Sequence, residues 1–262
     1  MKVHRINAVI MRHGYEARRN FDRVVDTLWW PVLDVVLWGF FSIYLTHGKG
    51  LQPSIVGLML GAAILWTMFY SFQRDMAVAF IDDLWCRNLI NLFSTPLMLS
   101  EYLAGIIVVC ILKVIVGLTA ASVIAWAAYS FDILPWLPKF IPYIANLLIF
   151  SLAIGIAITG MIFRYSTKIQ ALAWGFAGLL MPVSCIFYPI SSLPRWLQDI
   201  AWMMPPAHAF EGMRQVMAGK GFSPLHFWWA AGLNLVYFAS AIMFFGWIFE
   251  KARSRGLLVK QE

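Results

Sequence analysis

Residues 225–249, LHFWWAAGLNLVYFASAIMFFGWIF, contain no aspartate, glutamate, lysine or arginine. A transmembrane helix needs about 20 consecutive, mainly apolar residues to cross the hydrocarbon core of a bilayer. Such stretches recur along the chain, and six qualify as spans: 28–46, 54–72, 102–127, 140–163, 169–190 and 225–249. The sequence therefore predicts an all-α integral membrane protein, with six transmembrane helices in a single domain over residues 1–262.

The overall composition supports this class. Of 262 residues, 61% are hydrophobic and only 13% are charged, whereas a soluble domain has about 45–50% apolar and about 25% charged residues. This balance excludes an ordinary soluble fold and a disordered chain. Only two connections between predicted spans are long, 73–101 and 191–224, so no room remains for a separate soluble domain.

The net charge of +7 is explained by membrane topology. Fourteen of the 20 lysines and arginines lie before the first span, in the segments 73–101 and 164–168, or after the last span. Cytoplasmic loops carry the excess of basic residues in membrane proteins. We therefore expect both termini in the cytoplasm and contacts with membrane lipids, and we expect no nucleic-acid partner.

The N-terminal segment, 1–27, predicts an amphipathic helix in the cytoplasmic membrane interface. Its apolar residues recur at helical spacing, and basic residues occupy much of the remaining surface, notably Arg12, Arg18, Arg19 and Arg23. Such a helix is attracted to anionic lipid. Two interpretations remain open at this point: an anchor that only fixes topology, or a gate helix that also contacts a cytoplasmic partner.

The connection 73–101 contains a second amphipathic pattern. An apolar stripe runs from Ala77 through Leu84 and Trp85 to Leu92, while Asp82, Asp83 and Arg87 lie off it. The pattern predicts a cytoplasmic helix of about 15 residues, 77–91, ending before a break at Ser94-Thr95-Pro96. Two interpretations remain open for this segment: a solvated loop, or a docking element for a soluble subunit. The second is favoured by its length, since a helix of about 15 residues is more than a connector requires.

The second long connection, 191–224, predicts two short helices at the outer boundary of the membrane. Pro194 can open the first helix, which carries Trp196, and the Pro205-Pro206 pair ends it. The second helix, 207–217, places Glu211 and Arg214 one turn apart. Both helices lie on the surface or are partly re-entrant; re-entrant backbone is tolerated only where protein or water covers it.

Two charged residues fall inside predicted spans. Asp34 lies about one third of the way into the first span, and Lys113 lies about ten residues into the third. Charge at the bilayer centre costs about 2.5–3.5 kcal/mol on insertion scales. Three interpretations remain open: the two side chains pair with each other, or each faces a polar cavity, or both reach the membrane interface. In the third, the long Lys113 side chain extends to the interface and Asp34 lies within the interface.

No catalytic or metal-binding pattern is present. The sequence has no GxxxxGK[ST] phosphate-binding loop, no HExxH and no GxSxG, and its three cysteines and five histidines are scattered. We expect no catalytic residue, no metal site and no cofactor bound by this chain. The remaining function classes are an ATP-driven permease powered by another subunit, a stand-alone channel or secondary transporter, and a membrane-embedded enzyme.

Together, these motifs resemble the ABC-2 type exporter permeases. The resemblance rests on Tyr188-Pro189, on Leu193-Pro194-Arg195-Trp196-Leu197, on the Pro205-Pro206 break, and on Glu211 with Arg214. It extends over nearly the whole chain. Polysaccharide exporters of this family often lack an acidic residue in the first span. The presence of Asp34 makes the first span of this chain more similar to that of the drug and lipo-oligosaccharide branches.

The resemblance implies a transport role powered by a partner. The chain would be one half of a homodimer in the bacterial inner membrane, bound by two copies of a separate ABC ATPase that carries ATP and Mg. The 77–91 helix would be the coupling helix, 1–27 the gate helix and 191–217 a re-entrant pair near the exit. The family exports lipid-linked glycans, lipids and amphipathic drugs, along a route flanked by spans one, two and five.

Overall fold

The structure, a computed structural model, describes residues 2–49, 54–86 and 88–254. The described residues are almost entirely helical, with short 3-10 turns at Ser166–Ile169 and Ile190–Ser192. The α-helices, in chain order, are α1 (Val3–Arg19), α2 (Phe21–Lys49), α3 (Ser54–Trp85), α4 (Leu89–Ser94), α5 (Leu99–Tyr129), α6 (Leu137–Tyr165), α7 (Ala171–Leu180), α8 (Arg195–Trp202), α9 (Pro205–Met217) and α10 (Pro224–Ser254).

Five helices in the described part of the chain are long and apolar enough to cross a membrane. They are the long segments of α2, α3, α5, α6 and α10. The predicted spans 28–46, 54–72, 102–127, 140–163 and 225–249 lie within them. Each helix is longer than its apolar core, because an α-helix satisfies its own backbone hydrogen bonds and can continue into the interface and the water beyond it. The protein is a multi-pass membrane protein.

Helix α3 forms the centre of the bundle. Most of its residues are buried, and it packs against α2, α5 and α6. The fully buried aromatic side chains Phe69 and Phe80 belong to it, and the Phe69 ring stacks on Phe150 of α6. Helix α10 packs mainly on α6, where Asn234 Nδ2 donates to Asn146 Oδ1 at 2.8 Å. This buried contact gives the Asn234 amide nitrogen an acceptor that lipid could not supply.

The predicted fifth span, 169–190, is not one continuous helix. Helix α7 has only ten residues, about 15 Å of rise and half of the hydrocarbon thickness. It ends one residue before Met181-Pro182, where proline removes a backbone donor. The chain continues in turns in which Ser184 N–H still bonds to Leu180 O at 2.9 Å. The prediction of a continuous helix was wrong because two prolines, Pro182 and Pro189, fall within an otherwise apolar run.

The predicted boundary between the second span and the coupling helix is also wrong. Helix α3 continues without interruption from Ser54 to Trp85, so the apolar stripe from Ala77 to Leu84 packs inside the bundle, while Trp85, the last residue of the helix, is exposed. The next helix, α4, has six residues and is separate. The amphipathic pattern correctly identified a buried helix face. The stretch 72–77 contains no glycine or proline that could end a helix, and α3 continues through it.

The N-terminal helix is shorter than predicted. Helix α1 ends at Arg19, and residues 21–27 belong to α2 instead. The break falls at Asn20, whose backbone is extended (φ −111°, ψ 99°). Asparagine leaves a helix readily because its side chain competes for backbone hydrogen bonds. The two short helices predicted near the outer boundary are present as α8 and α9.

Candidate functional site

The first part of the candidate site is a set of ionic contacts that holds α1 against the ends of α3 and α5. Asp83, on α3, is fully buried. Its carboxylate accepts hydrogen bonds from the Arg12 guanidinium and from Tyr102 Oη, the latter at 2.6 Å. One buried carboxylate therefore joins α1, α3 and α5. We call this set of three residues the gate clamp.

A second buried acid fixes the start of α1. The Glu101 carboxylate accepts from the Lys2 backbone N–H at 2.7 Å and from the Met98 N–H at 3.1 Å. Arg5 Nη1 lies 3.2 Å from its Oε2. Further along, Val9 packs on Gly105, where a Cβ atom on the glycine would lie 2.7 Å from Val9 Cβ. Helix α1 can approach α5 this closely because residue 105 has no side chain.

Toward the end of α1, His13 is buried and its Nδ1 lies 3.4 Å from Glu16 Oε2. Burial and the neighbouring Arg12 cation lower the pKa of His13. Arg23, at the start of α2, forms an ion pair with Asp82, with 2.7 Å between Nη1 and Oδ2. Of the predicted gate-helix bases, Arg12 and Arg23 thus hold helices together, while Arg18 and Arg19 are exposed in the last turn of α1.

The residues predicted to couple to an ATPase do not share one surface. Asp83 is enclosed in the gate clamp, and Asp82 pairs with Arg23. Trp85 is 53% exposed at the end of α3. Arg87 lies outside the described residues. After Trp85, the chain exposes Asn91, Ser94 and Met98 in the segment that includes α4.

The charges predicted inside the membrane have partners other than each other. Asp34 Oδ2 accepts from Thr67 Oγ1 at 2.7 Å. Lys113 Nζ lies 3.6 Å from Asp75 Oδ2. The hypothesis of a direct Asp34–Lys113 pair is therefore wrong: a neighbouring acid on α3, which the sequence had placed in a loop, is closer to Lys113.

Four charged residues form one layer across α2, α3 and α5. Arg74 Nη2 lies 3.0 Å from Asp75 Oδ1 and 3.2 Å from Asp26 Oδ2, and Asp75 in turn approaches Lys113. We call Asp26, Arg74, Asp75 and Lys113 the charged layer. The predicted span within α2 begins two residues after Asp26, and the predicted span within α3 ends two residues before Arg74. On α2 and α3 the layer therefore lies at one end of the apolar run, whereas Lys113 lies within the apolar run of α5 and has Asp75 as its ionic partner there. This pairing offsets part of the cost of a charge inside a span.

At the opposite end of the bundle, Arg214 fixes the irregular chain after α7. Its Nη2 donates to Glu211 Oε2 at 2.6 Å, and its Nη1 donates to Cys185 O at 2.7 Å and to Ile186 O at 3.2 Å. Cys185 has a positive φ of 53°, so the backbone turns sharply here. Arg214 thus supplies donors to carbonyl oxygens that the broken helix leaves without partners.

The other residues of the outer motif surround this contact. Tyr188 Oη donates to Pro182 O at 2.5 Å and ties the turn together. Pro189 precedes the 3-10 turn, Pro194 precedes α8, and Pro205 occupies the first turn of α9. Trp196 is 65% exposed on α8. Helix α9 is mostly buried: Gly212 packs on the Tyr143 ring of α6, and the ring centroids of Phe210 and of Trp66 on α3 lie 6.4 Å apart.

Several residues in these contacts were not singled out from the sequence. They are Asp75, Arg74, Glu101 and Tyr102, together with the buried pair His208 and His226, whose Nδ1 atoms lie 3.1 Å apart. Asp75 and Asp82 are seven residues apart on one helix, a spacing that brings them to the same face. That signal was present, but it was interpreted as the polar face of a loop helix. Among the described residues, no group of three or more histidines, cysteines or acids could hold a metal ion.

Comparison with known proteins adds one finding. A family model described as ABC-2 type transporter matches residues 15–218, more than three quarters of the chain. The match begins within α1 and ends just after α9. It covers the gate clamp residue Asp83, the charged layer and the Glu211–Arg214 contact. A search of curated proteins gives no match.

Proposed function

Because the chain belongs to the ABC-2 type transporter family, and so is the membrane permease component of an ABC transporter, we propose that it is the permease subunit of an exporter powered by a separate ATPase. The family match over residues 15–218 carries this proposal. The cargo class is an amphipathic molecule, namely a lipid-linked glycan, a lipid or a drug, moved outward across the bacterial inner membrane. ATP and Mg bind to the partner, and this chain contributes no catalytic group.

The docking surface for the ATPase is the segment from Trp85 to Met98. It connects two long helices at the same end of the bundle as α1, and it exposes Trp85, Asn91 and Met98. A short helix between two spans transmits movement well when both of its neighbours are rigid, and here α3 and α5 are tied together by the Asp83–Tyr102 hydrogen bond. Asp82 and Asp83 act behind this surface, by holding α1 and α2, rather than within it.

The permease works as a homodimer with two ATPase copies. Helix α2 supports this arrangement because it exposes a row of large apolar side chains: Trp30, Leu37, Phe41 and Tyr44. A second copy that covers this face would enclose a route between the two subunits, flanked by α2, α3 and the short α7. Asp34 and Thr67, a polar pair among apolar side chains, lie between α2 and α3.

The helices α8 and α9 form the outer boundary of that route. Phe210 of α9 reaches Trp66, which lies about 18 Å along α3 from Ser54. Penetration to this depth supports a half-membrane re-entrant pair, since protein buries nine of the 13 residues of α9. The Arg214 contacts with Glu211 and with the carbonyl oxygens of Cys185 and Ile186 would keep the pair in place while the long helices move.

Reconstitution with an ABC ATPase from the same genome tests the proposal. We expect the ATPase to co-purify with the wild-type chain, and we expect Trp85→Ala combined with Asn91→Arg to reduce recovery at least fivefold. The matched control is Trp126→Ala, which removes another exposed tryptophan, 65% against 53% for Trp85, from the far end of α5. Loss of ATPase in the control, or full retention in the double variant, would refute the docking surface. Ion conduction or transport by the chain alone would instead favour a channel or secondary transporter.

A further inference from the structure

An open groove of about 270 Å³ lies between α1, α2 and α5. Its walls are mainly apolar. Leu112 and Val116 are half-exposed on α5, and Val24 is 41% exposed on α2. The α1 wall contains Gly14 and Ala17, whose small side chains leave the space open. A Cβ atom on Gly14 would meet nothing within 4 Å.

Two basic side chains border this groove. Arg23 and Lys113 both line it, and each has about a quarter of its side chain exposed. Each also has an acidic neighbour, Asp82 for Arg23 and Asp75 for Lys113. The Lys113–Asp75 separation of 3.6 Å is longer than a charge-assisted hydrogen bond, so the ammonium group keeps donors for another acceptor. Arginine has five N–H donors, more than one carboxylate can use.

The groove also lies at a defined depth. Lys113 belongs to the charged layer, which lies at one end of the predicted spans of α2 and α3. Leu28 and Val116, each on the apolar side of this layer, also line the groove. A ligand that places anionic oxygens at Arg23 and Lys113 can therefore place an apolar chain along Leu28 and Val116. Arg18 and Arg19, exposed in the last turn of α1, add positive charge close to the Ala17 wall.

We propose that this groove binds one anionic phospholipid of the cytoplasmic leaflet, with the headgroup at Arg23 and Lys113 and an acyl chain along Leu28, Leu112 and Val116. A lipid in this position bridges α1 to α2 and α5, and so stabilises the docked position of α1. The site is separate from the cargo route proposed between two subunits, and its occupation depends on neither an ATPase nor a second copy.

Native mass spectrometry of the purified chain, with phosphatidylglycerol or phosphatidylcholine added, tests this site. We expect one retained phosphatidylglycerol per chain, with at least fivefold preference over phosphatidylcholine. Gly14→Phe fills the groove and should remove the retained lipid. The matched control is Gly246→Phe on α10, where a Cβ atom also meets nothing within 4 Å; it should retain phosphatidylglycerol like the wild type.

The charge requirement is tested by Lys113→Gln. This change should reduce the preference for phosphatidylglycerol to less than twofold, whereas Lys139→Gln, near Trp136 and away from the groove, should leave it unchanged. Equal retention of phosphatidylglycerol by Gly14→Phe and Gly246→Phe would overturn the proposal, even if Lys113→Gln does not fold. Equal retention of both lipids by the wild type would overturn it as well. None of these results depends on ATPase binding, so the permease assignment is tested separately.

Discussion

Asp83 shows how one buried carboxylate can position three helices. It accepts from Arg12 on α1 and from Tyr102 on α5, while its own backbone belongs to α3. A charge this deep is tolerated only when its hydrogen-bond capacity is filled. Charge reversal at Asp82 and Asp83 would therefore break the contacts that hold α1 and α2. A loss of ATPase binding in that variant would not distinguish a damaged docking surface from a displaced α1, so the variant is not a test of docking.

Asp83→Ala should destabilise the protein strongly. Removing the carboxylate leaves the Tyr102 hydroxyl without its partner and Arg12 without its counter-ion. Loss of one member of a buried ion pair costs about 3–5 kcal/mol, and we expect about 3 kcal/mol because Arg12 is partly exposed. Thermal unfolding in detergent measures the effect. Asp132→Ala, which removes an exposed acid bonded only to a backbone N–H, is the control; equal melting temperatures for the two variants would contradict the clamp.

The buried histidine of α1 predicts a pH dependence. Burial and the Arg12 cation lower the pKa of His13 in the folded protein, while Asp83 and Glu16 act in the opposite direction and Lys113 adds to the lowering. The unfolded chain titrates near the ordinary value of about 6.5. Between these two values the unfolded state binds more protons, so stability is present above about pH 6.5 and is lost as the pH falls toward the folded-state pKa.

We therefore expect the melting temperature to fall by a few degrees between pH 7.5 and pH 5.5, and His13→Gln to reduce that fall. His4→Gln provides the control on the same helix, because His4 is exposed. Thermal unfolding at the two pH values measures both variants. An identical pH dependence in wild type and His13→Gln would assign the titration to another group.

At the scale of single elements, the contact between α1 and α5 depends on Gly105. A Cβ atom there would lie 2.7 Å from Val9 Cβ and 3.4 Å from Ile6 O. Backbone atoms of α1 cannot move aside without shifting the whole helix. Gly105→Leu should therefore displace α1 and expose Arg5 and Arg12, so that limited trypsin digestion at Arg12 becomes at least threefold faster. Gly175→Leu on α7, where the added atom meets nothing within 4 Å, should leave the digestion rate unchanged.

The elements differ in how far the sequence could predict them. The sequence predicts the spans within α2, α5, α6 and α10 because each is an apolar run of membrane length with at most one charged residue. Helix α3 was divided at residue 72 because charges at 74, 75, 82 and 83 resemble a loop. These charges are compatible with a buried helix only through partners on α1, α2 and α5, namely Arg12, Asp26 and Lys113. Pairing between distant segments is not visible in local periodicity.

The outer motif was predicted more completely. The sequence predicts that Pro194 opens the first helix, and α8 begins at Arg195. It predicts that Pro205-Pro206 separates the two helices, and α9 begins at Pro205 itself, two residues before the predicted start at 207. The Glu211–Arg214 pair follows from helical spacing, and its ion pair is present at 2.6 Å. The sequence did not predict that Arg214 also donates to Cys185 O and Ile186 O. That contact depends on the break after α7, which only the three-dimensional path of the chain brings beside α9.

At the scale of the whole molecule, the two ends of the bundle have different chemistry. One end contains α1, α4, the charged layer and most of the basic residues; the other contains α8, α9 and the buried histidine pair. Because basic residues stay in the cytoplasm, the first end should face inward and the second outward. The native Cys86 is exposed at the first end, whereas Cys110 and Cys185 are buried. The chain thus contains its own reporter of sidedness.

A membrane-impermeant maleimide should therefore leave the wild-type chain unlabelled in intact spheroplasts and label Cys86 in inside-out vesicles. In a Cys86→Ser background, Arg195→Cys should show the opposite pattern, because Arg195 is exposed at the start of α8. The Cys86→Ser chain alone is the control, and it should stay unlabelled on both sides while the other two thiols are enclosed. If positions 86 and 195 were labelled from the same side, the chain would cross the membrane an even number of times between them. Since α5, α6 and the segment containing α7 connect these positions, that result would show that the short, broken α7 segment does not complete its crossing.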